Sequence, residues 1–371
     1  MTETAEQRGE VDAETASDLE GYQPPEPGQW VDYPLDELAI RDERRTAMDV
    51  VRRINKGRFV LDPDFQRGYV WKLDKQSRLI ESVLMRFPLP VFYVAEDDEG
   101  RLVVVDGRQR LTTLQRFMEN KFALQLPDRP EIDGKRFEDL DMRLQNRVED
   151  CQLLFYIIDR SVPERARLDI FERVNGGEVL TRQQMRNAIY NGPATMFLRE
   201  EAESDLFVEA TGGSLNKAKM LDREFVNRFC SFATLDLGEY RGDMDAWLAL
   251  SLRKLNKASE AEREALRARL RRTLRNNLHV FGKHAFRKHT SLDQTRSVIN
   301  ASLFDVMSVG LCDMNEKRVA DRADALRAAL WLRMKDETFI KAITYSPNTP
   351  KQVRGRFEIA RAMFAEVFDA A

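Results

Sequence analysis

Four consecutive apolar residues, Leu102-Val103-Val104-Val105, three of them β-branched, run into Asp106-Gly107. Such a run reads as a buried strand. Beyond the glycine, Leu111, Leu114 and Met118 recur at helical spacing with Phe117 beside them, so a helix follows with Arg108, Gln109 and Arg110 near its first turn. A second strand, Val91-Phe92-Tyr93-Val94-Ala95, precedes it across the turn Asp97-Asp98-Glu99-Gly100, and the pair predicts an antiparallel hairpin. Leu79, Ile80, Val83, Leu84 and Phe87 form one stripe of a helix over 74–87 that Pro88 and Pro90 end.

The same patterning extends on both sides. Short helices are predicted at Leu35–Leu38 and Met48–Ile54, the second stopped by Asn55-Lys56-Gly57, and Phe59-Val60-Leu61 is a short apolar run. Residues 62–71 carry proline, aspartates and glycine and read as a loop that is dense in aromatics, with Phe65 and Trp71 as anchors and Gln66 and Arg67 available to a ligand. Residues 122–140 read as a loop with short strand pieces, 141–149 as a polar helix, and 151–158 as a strand. Leu168, Phe171 and Val174 trace a helix that stops at Asn175-Gly176-Gly177. Thr181 and Gln184 fit a capping box for the next helix, which ends at Asn191-Gly192-Pro193. From 194 onward the periodicity is helical, with candidates at Glu224–Leu235, Met244–Leu255, 258–280, Arg296–Val309, Val319–Lys335 and Val353–Phe368.

The pattern thus predicts an α+β unit with a small mixed sheet over 29–195, then an all-α domain over 196–371, preceded by an acidic, disordered tail over 1–28. Composition agrees with a folded chain: 371 residues, 43% hydrophobic and 33% charged. The net charge is −3, but residues 1–28 hold eight acidic residues and one arginine, leaving 58 basic against 54 acidic in the remainder. A mildly basic body permits nucleic-acid binding without demanding it. Cys151, Cys230 and Cys312 are far apart and suggest neither a disulfide framework nor a zinc knuckle. No signal peptide or membrane-spanning run is visible, so a soluble cytoplasmic protein is expected.

Candidate chemistry centres on the 102–118 junction. Backbone N–H groups at a helix start and the positive end of its dipole suit an anion, Arg108 and Arg110 add cations, and Asp106 offers a metal ligand or a partner for a ribose hydroxyl. The spacing equally suits a tight turn with solvated arginines. The region 262–288 is rich in Arg and Lys and suits either a phosphate backbone or a solvated helix face. His279, His284 and His289 are the only histidines. On one continuous helix their five-residue spacing turns each by roughly 140° from the last, so no shared metal face is expected. No GxSxG, Walker loop, GxGxxG or HExxH is present, and no histidine in the first 278 residues can act as the base of covalent catalysis.

Three pieces stand together: Phe65-Gln66-Arg67 followed by Trp71; Asp106-Gly107-Arg108-Gln109-Arg110 with Thr113; and Phe171-Glu172-Arg173-Val174-Asn175-Gly176-Gly177 followed by Leu180 and Arg186-Asn187-Ala188. Over about 35–195 they resemble the domain-of-unknown-function family 262. That family includes the N-terminal domain of GmrSD-type modification-dependent restriction enzymes and that of SspE-type phosphorothioate-sensing defence proteins, and is similar in fold to the ParB and sulfiredoxin superfamily. The resemblance implies a nucleotide-binding or nucleotide-hydrolysing core in a bacterial anti-phage or restriction system. It implies catalytic roles for Asp106, Gln109 and Arg110, phosphate contacts from Gln66, Arg67, Gly107, Arg108, Thr113 and Asn175, and Mg²⁺ held by Asp106 with ATP, GTP or CTP. Arg108 stands where glutamine is usual in the family motif, and the C-terminal HNH nuclease domain of fused relatives has no counterpart. DNA, a separate nuclease subunit and a second copy of the chain are the candidate partners. A DNA-binding module, or a ParB-like nuclease without nucleotide turnover, is the alternative.

Overall fold

The computed structural model describes residues 19–21, 39–61, 71–97, 99–174 and 181–369. The chain divides into two compact units, one spanning 30–191 and the other 192–371 together with the N-terminal residues. The helix predicted over 35–38 lies outside the described residues.

In the first unit, β2 (Ile40–Thr46) runs into α1 (Ala47–Asn55), whose start Thr46 caps by accepting from the Asp49 N–H. The chain continues through β3 (Phe59–Val60), α2 (Leu73–Leu84), β4 (Phe92–Glu96), β5 (Leu102–Asp106), α3 (Arg108–Met118), α4 (Met142–Glu149), β6 (Gln152–Ile158), α5 (Glu164–Val174) and α6 (Arg182–Ile189). The sheet order is β2-β6-β4-β5-β3, with β2 antiparallel to β6, β6 parallel to β4, β4 antiparallel to β5 and β5 parallel to β3. The hairpin β4–β5 is therefore the centre of a mixed sheet. Alternate residues Phe92, Val94, Leu102, Val104, Phe155 and Ile157 share one core with Ile80 and Val83 of α2 and Leu111, Leu114 and Phe117 of α3.

β2 differs from the sequence expectation. Its residues IRDERRT are exposed or half-buried throughout and show no apolar alternation, so its strand character comes from pairing with β6 at the sheet edge. Residues 122–140 form no strand. Backbone bonds of 2.9 and 2.8 Å between Leu124 and Lys135 and between Gly134 and Leu124 close a loop whose Phe122 and Phe137 pack on Phe117.

The second unit contains β1 (Leu19–Glu20), α7 (Pro193–Glu203), α8 (Asp205–Thr211), α9 (Leu221–Thr234), α10 (Met244–Lys257), α11 (Glu260–Phe281), β7 (Ile299–Asn300), α12 (Ala301–Leu311), α13 (Glu316–Asp321), α14 (Ala323–Arg333), α15 (Glu337–Thr344) and α16 (Pro350–Phe368). Of the tail expected to be disordered over 1–28, only residues 19–21 are described, and these are ordered: Leu19 is buried, β1 pairs in parallel with β7, and Glu20 meets Lys288 at 2.5 Å. The helix expected from Arg296 starts only at Ala301, because the Asn300 side chain caps the Leu303 N–H at 2.8 Å.

The histidine geometry also departs from expectation, because the helix ends at Phe281 before His284. His284 and His289 stack with ring centroids 4.9 Å apart, and His289 also meets the Phe281 and Trp331 rings edge-on. One nitrogen of each ring donates to a carbonyl, His284 Nε2 to Leu292 and His289 Nδ1 to Arg287, while His284 Nδ1 and His289 Nε2 are buried without a partner among the described residues. Burial, with the neighbouring His284, holds His289 below its ordinary value of 6.5, against the opposing bond to the Arg287 carbonyl. The unfolded chain therefore takes up a proton near pH 6.5 that the folded chain refuses. Stability is expected to fall as pH drops below about 6.5. Melting curves from pH 7.5 to 5.5 should show this slope, and His289→Phe should flatten it; an unchanged slope would assign it to other groups.

Candidate functional site

β5 delivers Asp106 to the end of a fully apolar strand, and the chain must then turn at once into α3. Gly107 makes that turn with φ of 99° and is the N-cap of α3, with no side-chain cap. A Cβ here would lie 2.3 Å from Phe92 Cδ1 and 3.1 Å from Arg110 Nη2, so the position needs glycine for conformation and for space. The register explains the crowding: Asp106 is opposite Tyr93, and the chain before it brings Phe92 under the turn.

Arg110 locks the junction. Its Nη2 donates to Asp106 Oδ2 at 2.7 Å and to the Val91 carbonyl at 3.1 Å, and its Nη1 donates to the Pro90 carbonyl. The guanidinium also lies 4.3 Å above the Phe92 ring. Burial pulls its pKa down and the Asp106 carboxylate opposes this. The Arg110 side chain is 11% exposed against 37% for Asp106. Asp106 is thus the more accessible member of the pair, held in one orientation by a half-buried strut. A single accessible carboxylate fits Mg²⁺ chemistry, in which one or two protein carboxylates are joined by phosphate oxygens and water. Among the described residues no group of three His, Cys, Asp or Glu side chains could hold a metal by itself.

Gln109 faces the neighbouring loop. Its Oε1 accepts from the Trp71 N–H at 3.4 Å, and Gln76 of α2 donates to the Trp71 carbonyl at 2.8 Å. Lys75 Nζ lies 4.6 Å from the Trp71 ring centre. Two helix starts therefore hold the end of the loop that carries Gln66 and Arg67. Gln66, Arg67 and Asn175 themselves lie outside the described residues. Thr113 is buried and its hydroxyl donates to the Gln109 carbonyl at 2.7 Å, so it supports the first turns of α3.

The sequence reading assigned no role to the polar face of α6, which packs against β5. Thr181 and Gln184 form the capping box expected. Gln183, Arg186 and Asn187 are buried; Arg186 Nε donates to Gln183 Oε1 at 3.0 Å and Gln183 Nε2 to Asn187 Oδ1 at 2.7 Å. The signal was present: three polar residues at i, i+3 and i+4 share a stripe flanked by Met185 and Ile189.

The basic stretch of α11 is committed to its own unit. Arg267 meets Glu200, Glu201 and Glu264, Arg271 meets Glu201, Arg269 meets Asp313, and Arg275 meets Glu316. Arg272 donates to the Cys312 carbonyl. These side chains tie α11 to α7, to the end of α12 and to α13.

Residues 48–191 match the family described as GmrSD restriction endonuclease, N-terminal domain, which connects the chain with restriction and defence-related proteins. No curated protein and no solved structure matches the chain. No helix among the described residues is long and apolar enough to cross a membrane.

Proposed function

We propose, starting from a GmrSD-type N-terminal domain at residues 48–191, that this chain binds a nucleoside triphosphate at the Asp106–Gln109 turn and hydrolyses it, as a component of a bacterial restriction-type defence system. The observation that carries the reading is the Asp106–Arg110 pair at the mouth of α3: a partly exposed carboxylate fixed by a half-buried arginine beside a helix start with no side-chain cap. That is the arrangement a phosphate and its metal need.

In this reading Asp106 would hold Mg²⁺, which would supply charge to neutralise the triphosphate. Arg108 at the helix start and Arg67 from the neighbouring loop bind the phosphate oxygens. Gln109 or Gln66 orients the attacking water; the water oxygen bonds to the terminal phosphorus as the bridging P–O bond breaks, the nucleoside diphosphate leaves, and the water's proton passes to the released phosphate. Arg110 is a positioning residue, because its N–H groups are taken by Asp106 and the 90–91 carbonyls. The protein works by positioning and electrostatics.

The test measures phosphate release from ATP, GTP and CTP by the native chain, Asp106→Ala and Arg110→Ala. With a single charged group removed from the reacting centre, a fall of about 100-fold or more is expected for Asp106→Ala. Arg110→Lys should also fall, since one ammonium cannot replace the fork that bridges Asp106 and two carbonyls. Equal rates in all proteins would remove hydrolysis from the proposal.

A further inference from the structure

A second cationic feature lies at the other end of the same strands. β4 and β5 start and finish in opposite directions, so Glu96 and Leu102 are about 13 Å along the sheet from Asp106 and Phe92. At that far end a cleft of about 390 Å³ is lined by Arg41, Arg45, Arg53, Arg58 and Arg101, with Glu96 and Glu99. Arg41 and Arg45 come from β2, Arg53 from α1, and Arg58 and Arg101 from the residues just before the paired strands β3 and β5.

The pairing around this cleft leaves guanidinium capacity over. Arg58 is exposed at the cleft. Acceptors are shared: Asp49 takes Arg45, Arg52 and Arg53, at 3.3, 2.6 and 2.8 Å, and Glu43 takes both Arg45 and Arg41, which also meets Glu96 and Asp159 at 3.3 and 3.1 Å. Arg45 Nε is buried with no partner among the described residues. The Arg101–Glu99 pair is exposed on both sides, so water screens it and an incoming anion exchanges with Glu99 at small cost. By contrast, Asp97 is buried and holds Arg101 from behind at 2.7 Å, which fixes the guanidinium in place. Fixed forks with unused donors suit phosphate oxygens.

We propose that this cleft binds a ligand carrying two or more phosphate charges, at a site separate from the Asp106 turn. The chemistry is shared by the backbone of a nucleic acid and by a free polyphosphate, and the experiment separates them. The proposal does not rest on turnover at the turn.

The full chain is titrated with a fluorescent random-sequence duplex at several salt concentrations, and with inorganic tripolyphosphate as competitor and as a thermal-shift ligand. Arg58→Ala/Arg101→Ala is compared with Arg58→Lys/Arg101→Lys; both side chains reach solvent, and the buried Asp97 keeps its bonds from the Glu99 and Arg101 backbone N–H groups, so the fold should survive, which circular dichroism checks. The alanine pair should weaken binding at least tenfold, and the lysine pair should restore part of it. If the ligand is a nucleic-acid backbone, the logarithmic salt slope should fall by about 2 for two lost phosphate contacts. If it is a free polyphosphate, tripolyphosphate without Mg²⁺ should raise the melting temperature of the native chain more than that of the alanine pair, and should displace any bound duplex. Equal binding by the native chain and the alanine pair, or no binding of either probe by the native chain, would overturn the proposal. Nucleotide turnover, measured in parallel, should be the same in the alanine pair as in the native chain.

Discussion

Gly107→Ala is expected to destabilise the β4–β5–α3 junction by about 3 kcal/mol or more, the sum of a left-handed backbone forced on a side chain and an overpacked contact. The turn has φ of 99°, and the added methyl meets Phe92 Cδ1 at 2.3 Å. Phe92 has no room to retreat, because it is fully buried and stacked on Phe155 with centroids 5.2 Å apart. The strain passes to Arg110, whose guanidinium is held between that ring and Asp106. Hydrogen exchange of peptides covering 92–118 reads the effect directly: their amides should exchange about 100-fold faster, the factor that corresponds to some 3 kcal/mol of opening free energy. Unchanged exchange would mean that the backbone there relaxes freely and that the glycine is not required.

Asp305→Ala should cost the helical unit about 3–5 kcal/mol, the usual penalty for leaving buried charges unpaired. Asp305 is fully buried on α12 and takes two bonds from Arg228, at 2.8 and 2.6 Å, and one from Arg356 at 2.8 Å. Burial works against both arginine charges. Two-point bonding to Asp305 outweighs it at Arg228, whose pKa is raised, and one bond does not at Arg356, whose pKa is lowered. Without the carboxylate both guanidinia are stranded among α9, α12 and α16. Urea unfolding followed by circular dichroism measures the loss. Replacing all three residues together with apolar ones of similar volume should recover most of it, since no charge then stays buried. A triple variant as unstable as Asp305→Ala would show that the cluster does more than neutralise itself.

The two units were legible in the sequence to different depths. The Leu102–Val105 strand, the break at Gly107 and the helix after it follow from apolar runs and a glycine, which act locally. The Thr181–Gln184 cap was legible for the same reason: its bonds join residues three apart. β2 was not, because a polar edge strand carries no alternation and exists through its bonds to β6, more than a hundred positions away. Arginine was the least legible residue type. Arg167, Arg186, Arg228, Arg287 and Arg356 are among the largest fully buried side chains, yet in the sequence each looks like any solvated cation.

The sequence by itself determined the α+β unit with its mixed sheet, the helical unit after it, and the polar strand–glycine–helix turn, because periodicity and turn chemistry are written in neighbouring residues. The tertiary structure decided what the charges do. Arg110 became a half-buried strut for Asp106, the arginines of α11 became ties between helices, and Arg41, Arg45, Arg53, Arg58 and Arg101 came together around one cleft. A guanidinium on a long stem can serve a carbonyl, a carboxylate or a ligand with nearly equal ease, so only the partners that folding brings within reach select among them.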